Sequence, residues 1–185
     1  QVLSDAASLD ELFEDTTKKL TPKAKEALQK RWAEMQNLFS SRERVNRIVA
    51  QIVQDFQLIP ALKEGWGNAM LVADGIYQAY RFWSAFQDTA LAGKCAVVTS
   101  YEGADPSLEE GYSGELKTET DYKYNTDKRM RGDKSPEEYE EWAKFEFVRH
   151  PGSMKLLIVV DKLLTGFDAP SATYLYIYNK IRDHN

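Results

Sequence analysis

The sequence is poor in cysteine and in long apolar runs, and each shortage excludes a class of protein. Cys95 is the one cysteine among 185 residues, which excludes an intramolecular disulfide and a cysteine-based zinc cluster and fits a reducing compartment. Its position in the apolar run 94–98 favours a small core residue over a nucleophile. No apolar segment approaches the roughly 20 residues that a membrane-spanning helix needs. We therefore expect a cytoplasmic protein without a membrane partner.

An excess of positive charge is also missing. The chain has 24 Lys and Arg against 29 Asp and Glu, so its formal net charge is −5. A protein that binds nucleic acid through its whole surface is usually basic, so any contact with DNA must be local. The two histidines, His150 and His184, are isolated in the sequence, and we expect no metal site.

The motifs that hold a nucleotide phosphate are absent. No Gly-x-x-x-x-Gly-Lys-[Ser/Thr] occurs, because the Gly93-Lys94 pair is followed by Cys95 and lacks the upstream glycine. No Asp-Glu-x-His magnesium motif occurs either. Phosphoryl transfer needs phosphate-binding, Mg²⁺-binding and arginine groups together. We therefore expect this chain alone to hold no catalytic residues, to bind no cofactor and not to hydrolyse ATP. The first residue is Gln1 rather than Met, and we expect a piece of a longer chain.

Helical patterns fill the first third of the chain. Capping boxes at 8–11 and 40–43 and a Thr21-Pro22 pair each predict the start of a helix. The strongest apolar stripe follows helical spacing; its members are Val45, Ile48, Val49, Ile52, Val53 and Phe56. Residues 1–60 are therefore predicted to be a helical segment.

Residues 61–185 alternate between strand and helix patterns. We predict strands at 69–74, 95–100, 155–160 and 174–178, a helix at 76–91 ended by Gly93, and a helix that starts at a capping box at 135–138. Residues 101–134 show no apolar periodicity and are predicted to be a long polar loop. Strands separated by helices indicate an α/β fold, a parallel sheet flanked by helices.

The most informative stretch is the polar loop at 161–170, which follows the apolar run 155–160. Ligands of open α/β sheets bind outside the carboxyl ends of the strands, where we expect this loop to lie. Gly166 relaxes the backbone, and Thr165 and Asp168 place a hydroxyl and a carboxylate beside it. From spacing alone, an ordinary turn in which Asp168 only favours the turn remains open.

Residues 159–170, with the sequence VVDKLLTGFDAP, resemble motif V of the R (restriction, motor) subunit of type I restriction–modification enzymes. That subunit is a superfamily 2 helicase-like DNA translocase with a nuclease domain. Three further stretches are similar to the same family: the helix at 44–56, the motif IV strand and helix at 68–86, and the strand at 94–101. The resemblance implies a RecA-like (P-loop NTPase-type) fold, with a helical lead-in at 1–60 and the second RecA-like domain, incomplete at its C-terminus, at 61–185.

The resemblance also implies roles for single residues. Gly166 and Asp168 would couple ATP to closure of the cleft between two RecA-like domains, whereas Thr165 and, more weakly, Ser100 would contact the DNA backbone without reading sequence. The family's arginine finger would follow Asn185. The full-length subunit would be an ATP-dependent type I site-specific deoxyribonuclease that uses ATP and Mg²⁺. Its partners would be double-stranded DNA, the methylation (M) and specificity (S) subunits and the first RecA-like domain of its own chain.

Two other functions remain open. One is another superfamily 2 helicase or translocase with no restriction role. The other is a non-catalytic RecA-like interaction module, which the acidic charge and the missing phosphate motif would suit. Within the loop at 101–134, a basic run at 128–131 could meet DNA phosphates or be a solvated face, and acid-x-Lys pairs at 115–117 and 121–123 only weakly suggest a nuclease site.

Overall fold

The structure is a computed structural model that describes residues 22–103, 115–160 and 167–178. The predicted capping box at 8–11 lies outside these residues. By internal contacts the chain divides into two compact units, Gln1–Arg44 and Val45–Asn185. The second unit contains the sheet and all the residues discussed below as a site.

A single long helix, α1 (Pro22–Leu58), forms the described part of the first third. It begins at Pro22 as predicted, but the predicted new start at 40–43 is wrong, because the helix continues through these residues. No Gly or Pro occurs between Pro22 and Leu58, and serine alone costs too little in a helix interior to end it. The predicted apolar stripe is confirmed, since Val45, Val49, Ile52 and Phe56 are buried.

Four parallel strands form the sheet: β1 (Asn68–Val72), β2 (Cys95–Val98), β3 (Leu156–Val159) and β4 (Ala172–Ile177), in the order β2-β3-β1-β4. Helices flank it, so the α/β prediction is confirmed, and the architecture is consistent with a RecA-like fold. Alternate residues of β2 and β3 enter two separate core clusters, because a parallel sheet with helices on its faces is buried on both sides.

The other helices among the described residues are α2 (Pro60–Glu64), α3 (Ile76–Phe86), α4 (Glu115–Arg131) and α5 (Pro136–Arg149). Helix α3 ends before the predicted Leu91. Thr89 Oγ1 donates to the Phe86 carbonyl and accepts from the Leu91 N–H, a local bonding pattern that competes with helical hydrogen bonds. Gly93 adopts a left-handed φ of 67°, but it lies at the end of the turn that follows α3 and not at the end of the helix itself.

The prediction of a long polar loop at 101–134 is wrong for Glu115–Arg131, which is α4. The inward face of α4 carries the polar residues Thr126 and Asp127, which are 5% and 2% exposed. Apolar periodicity therefore cannot reveal this helix, because its buried positions are not apolar.

Helix α5 begins at the predicted capping box. Ser135 Oγ accepts from the Glu138 N–H, and Glu138 Oε2 accepts from the Ser135 N–H at 2.8 Å. Of its apolar residues, Tyr139, Ala143 and Phe147 are buried against the sheet, whereas Trp142 and Phe145 are exposed. Cys95 is buried at the start of β2, and burial raises the pKa of its thiol to about 12, which confirms the prediction of a core residue.

Candidate functional site

Three strands end level with one another at the carboxyl edge of the sheet. Val159 of β3 pairs with Val72 of β1 on one side and with Val98 of β2 on the other. Ser100 comes two residues after β2 and is exposed. The predicted DNA-backbone residue Ser100 therefore lies at the edge where α/β proteins bind their ligands.

A polar group of four residues, which we call the Asp127 cluster, lies beside Ser100 and consists of Tyr80, Thr99, Asp127 and Arg131. Tyr80 and Asp127 are buried, and Thr99 and Arg131 are half-buried. Asp127 is 2% exposed. Its Oδ1 accepts from the Tyr80 hydroxyl at 2.8 Å, and its Oδ2 accepts from Arg131 Nε at 2.8 Å and from Nη2. A buried carboxylate is tolerated only with such partners, and both oxygens of Asp127 have them.

The ionisation states of the cluster follow from these contacts. Burial raises the pKa of Tyr80 far above its ordinary value, the Asp127 carboxylate raises it further, and the neighbouring Thr99 hydroxyl works against both. Asp127 also raises the pKa of the Arg131 guanidinium. Tyr80 therefore remains a neutral hydroxyl and Arg131 a cation near pH 7. Since a general acid or base needs a pKa near the working pH, the cluster is suited to holding structure and not to proton transfer.

The segment 99–103 is fastened to this cluster at two points. Thr99 Oγ1 accepts from the Tyr101 N–H at 3.1 Å, and the Tyr101 ring contacts the Tyr80 ring edge-on at 6.0 Å between ring centroids. Gly103 has a φ of 74°, and a Cβ atom there would lie 2.7 Å from Arg131 Nη2 and 3.1 Å from Asp127 Oδ2. Only glycine combines this left-handed backbone with such a close approach. The end of β2 is thus held against α3 and α4.

Of the loop at 161–170 that follows β3, only the part from Phe167 onward belongs to the described residues. Thr165 and Gly166 lie outside the described residues. Phe167 contacts Phe147 of α5 at 6.2 Å between ring centroids, and Phe167 and Ala169 pack on the core cluster beneath α5. Asp168, between them, is exposed.

Beyond Asp168 the chain turns to the amino ends of the strands, where the Asn68 N–H donates to the Ser171 carbonyl at 2.9 Å. The described part of the loop therefore runs along the α5 face of the sheet, and the position of the whole loop outside the carboxyl ends stays a prediction. The reason is topological, because β4 is parallel to its neighbour β1 and the connection must return the chain to the opposite edge.

The basic run at 128–131 is divided between different contacts. Arg131 belongs to the Asp127 cluster and donates through Nη1 to the Lys134 carbonyl. Arg129 lies over the Trp83 ring at 5.1 Å and donates to Ser84 Oγ, and Lys128 lies over the Tyr124 ring at 5.1 Å. Of the three cations in this run, Lys128 and Arg129 are exposed and Arg131 is half-buried.

The acid-x-Lys pairs lie on α4 and not in a loop. For the pair at 121–123, residues two apart on a helix do not face each other. Lys123 instead pairs with Glu119 at 3.5 Å. Within the ranges that the structure describes, no three potential metal ligands cluster, and none of the helices is long and apolar enough to cross a membrane.

Sequence reasoning assigned no role to Tyr80 and Asp127 and placed Arg131 only in the basic run at 128–131. A weak signal was present, because an acid and an arginine four residues apart pair on a helix. That signal does not reveal burial, and the partner Tyr80 is 47 residues away in the chain.

Comparison with known proteins adds two similarities. Residues 65–185 match the family described as type I restriction enzyme subunit R domain 3. Over 165 residues the chain is 25% identical to the "Putative type I restriction enzyme MjaIXP endonuclease subunit" of Methanocaldococcus jannaschii. The alignment covers 89% of this chain and 14% of that protein, so the chain spans about a seventh of the relative's length.

Proposed function

The chain belongs to the family of domain 3 of type I restriction enzyme R subunits, and we propose that it forms the motif IV–V wall of an ATP- and DNA-binding cleft in the full-length subunit. The observation that carries the proposal is the level carboxyl edge of three parallel strands, with the exposed hydroxyl of Ser100 beside it. This is the part of an α/β sheet that faces a ligand.

On the DNA side of this wall, Ser100 and Thr165 donate hydrogen bonds to backbone phosphates. A hydroxyl that contacts phosphate does not read bases, and a motor that moves along DNA needs contacts that are independent of sequence. The net charge of −5 supports a few placed contacts over a broad basic surface, because the affinity of a broad surface would come from many cations.

On the nucleotide side, the exposed Asp168 and the neighbouring Gly166 couple ATP to closure of the cleft. Phe167 and Ala169, on either side of Asp168, are partly buried against the sheet. The sequence has no phosphate-binding motif, so the phosphates and Mg²⁺ are held by the first RecA-like domain of the full-length chain.

The whole subunit then works as an ATP-dependent DNA translocase and endonuclease. Its DNA is double-stranded, and it assembles with methylation and specificity subunits. The relative's printed name, an endonuclease subunit of a type I restriction enzyme, supports this assignment. In this proposal residues 61–185 are the second RecA-like domain and residues 1–60 are the helical lead-in.

The deciding experiment is Asp168→Ala in the full-length subunit, assembled with its partner subunits. We expect DNA-stimulated ATP hydrolysis to fall by about 100-fold or more, the size of effect seen when a group that acts in the transition state is removed. The circular dichroism spectrum should not change, because Asp168 is exposed.

Asp88→Ala is the matched control, since Asp88 is also exposed and lies in the turn after α3. It should retain the ATPase activity of the wild type. If Asp168→Ala also retained that activity, the coupling role would be lost and the non-catalytic interaction module would be favoured.

A further inference from the structure

We propose that Lys128 and Arg129, at the C-terminal end of α4, form a second contact to the DNA backbone. The proposal rests on the proposed function, because it takes duplex DNA as the ligand of the full-length subunit. It adds two cations to the hydroxyl of Ser100, and both lie outside the stretches that resemble the family's motifs. Like Ser100, they bind phosphates and read no bases.

The two cations keep their charge because aromatic rings, and not carboxylates, hold them. Lys128 Nζ lies 5.1 Å from the centre of the Tyr124 ring, and the Arg129 guanidinium lies 5.1 Å from the centre of the Trp83 ring. In the described part of the chain, neither cation forms an ion pair with a carboxylate. A ring attracts a cation through its quadrupole and brings no net negative charge, so the full charge remains available to a phosphate.

Two other cations of α4 are neutralised by acids of the same helix. Lys123 pairs with Glu119 at 3.5 Å, and the half-buried Arg131 pairs with Asp127. The negative charge of each partner opposes the attraction that a phosphate would experience. The positive field of α4 is therefore strongest in its last turn, where Lys128 and Arg129 are both exposed.

The Arg129 side chain is also ordered in advance of binding. Its Nη2 donates to Ser84 Oγ at 3.3 Å, and the same oxygen accepts from the Tyr122 hydroxyl at 2.9 Å. A guanidinium has five N–H donors in a planar fork that matches the oxygens of a phosphate. A group already held in place loses less entropy when it binds, so the contacts with Trp83 and Ser84 favour binding.

This surface lies within reach of DNA that is bound at Ser100. Gly103 packs on α4, since a Cβ atom there would lie 3.1 Å from Asp127 Oδ2. Three residues of fully extended chain span about 11 Å at most, so Ser100 is no further than that from Gly103. Lys128 and Arg129 follow Asp127 directly. Each strand of a duplex has one phosphate per about 3.4 Å of its axis, so a few nucleotides cover this distance.

The test measures how DNA binding by the full-length subunit depends on salt. Affinity for a labelled duplex is measured by fluorescence anisotropy without ATP, at salt concentrations between about 50 and 200 mM. Each cation that contacts a phosphate contributes about one to the slope of log affinity against log salt concentration. We expect Lys128→Gln and Arg129→Gln each to make the slope shallower by about one, and equally so on two duplexes of unrelated sequence.

Lys134→Gln is the matched control. Lys134 is also an exposed lysine over an aromatic ring, 5.5 Å from the centre of the Trp142 ring. It lies just before α5, whose first turn carries Glu137 and Glu138, and these acids repel a phosphate. Its slope should equal that of the wild type. Arg129→Lys keeps the charge and should also keep the wild-type slope, although it alters the contact with the ring.

A structural role gives a different result. Cations in the last turn of a helix interact favourably with its dipole, and loss of that effect alone would lower the melting temperature without changing the slope. Wild-type slopes in Lys128→Gln and Arg129→Gln would therefore overturn the inference, as would an equal change in Lys134→Gln. Neither result affects the role of Ser100, which Ser100→Ala tests in the same assay as a lower affinity at an unchanged slope. A full-length subunit that binds no duplex would overturn the proposed function and the inference together.

Discussion

Asn68 is fully buried at the start of β1, and its side chain joins the sheet to α5. Its Nδ2 donates to the Phe147 carbonyl at 2.6 Å and to the Met154 carbonyl at 3.3 Å. These carbonyls lie near the end of α5 and just before β3. A buried polar side chain with long-range partners contributes to stability mainly by preventing unsatisfied groups around it.

We predict that Asn68→Ala lowers the free energy of unfolding by about 2–3 kcal/mol. The substitution removes two hydrogen bonds and leaves the Met154 carbonyl without this donor, and each such loss costs about 1–3 kcal/mol. Urea denaturation followed by circular dichroism would measure it as a lower midpoint with an unchanged slope.

Thr173→Ala serves as the comparison for this residue. Thr173 Oγ1 donates to the Asn68 main-chain carbonyl at 3.3 Å but is exposed, so we expect a loss of less than about 0.5 kcal/mol. Equal losses in the two variants would show that burial of Asn68 is not what makes it important.

At the scale of elements, α5 shows how far a local signal determines a helix. Its capping box is readable in the sequence and present in the structure with both reciprocal bonds. Its exposed Trp142 lies 5.5 Å below the Lys134 ammonium, which a pattern of apolar residues could not foretell. Start positions are local properties, whereas the choice of which apolar residues are buried depends on what packs beside the helix.

We predict that Ser135→Ala destabilises the protein by about 1 kcal/mol through loss of the α5 cap. For a chain of this size the melting temperature should fall by about 2–4 °C, measured by differential scanning calorimetry. Ser135→Asp should stay close to the wild type, because aspartate caps equally well.

Ser153→Ala is the control, since Ser153 is an exposed serine in the turn after α5 and caps no helix start. Its melting temperature should remain within a degree or so of the wild type. If Ser135→Ala and Ser153→Ala had the same melting temperature, the capping box would make no measurable contribution to stability.

At the scale of the whole molecule, our proposal is that the sheet supplies one wall of a site and not a complete catalytic centre. The ends of β1, β2 and β3 form the carboxyl edge. The sequence contains no phosphate-binding motif anywhere in its 185 residues. ATP hydrolysis needs phosphate-binding, Mg²⁺-binding and arginine groups that act together, and the proposal assigns the phosphate-binding groups to another domain.

We predict that the isolated chain does not hydrolyse ATP, with or without duplex DNA. Release of inorganic phosphate should stay at the level of buffer, while the full-length subunit assayed alongside shows DNA-stimulated activity. Phosphate release by the isolated chain that increases with DNA would contradict this expectation and would require a nucleotide site of a different kind.

The sequence by itself determined the features that depend on neighbours along the chain. The apolar stripe that begins at Val45, the buried strands around Leu71 and Ile158, and the cap at Ser135 are all readable from spacing, because helices and strands have fixed periods of side-chain direction. The VVDKLLTGFDAP stretch likewise indicated the family, which the match over residues 65–185 bears out.

Only the tertiary structure decided where the polar groups are buried and which of them meet. Helix α4 was missed because its inward face carries Thr126 and Asp127, and burial of polar residues leaves no apolar period to read. Asp127 meets Tyr80 across 47 residues, and the position of β4 beside β1 sends Phe167 and Asp168 along the sheet face. These outcomes depend on strand order and long-range packing, which no local pattern encodes.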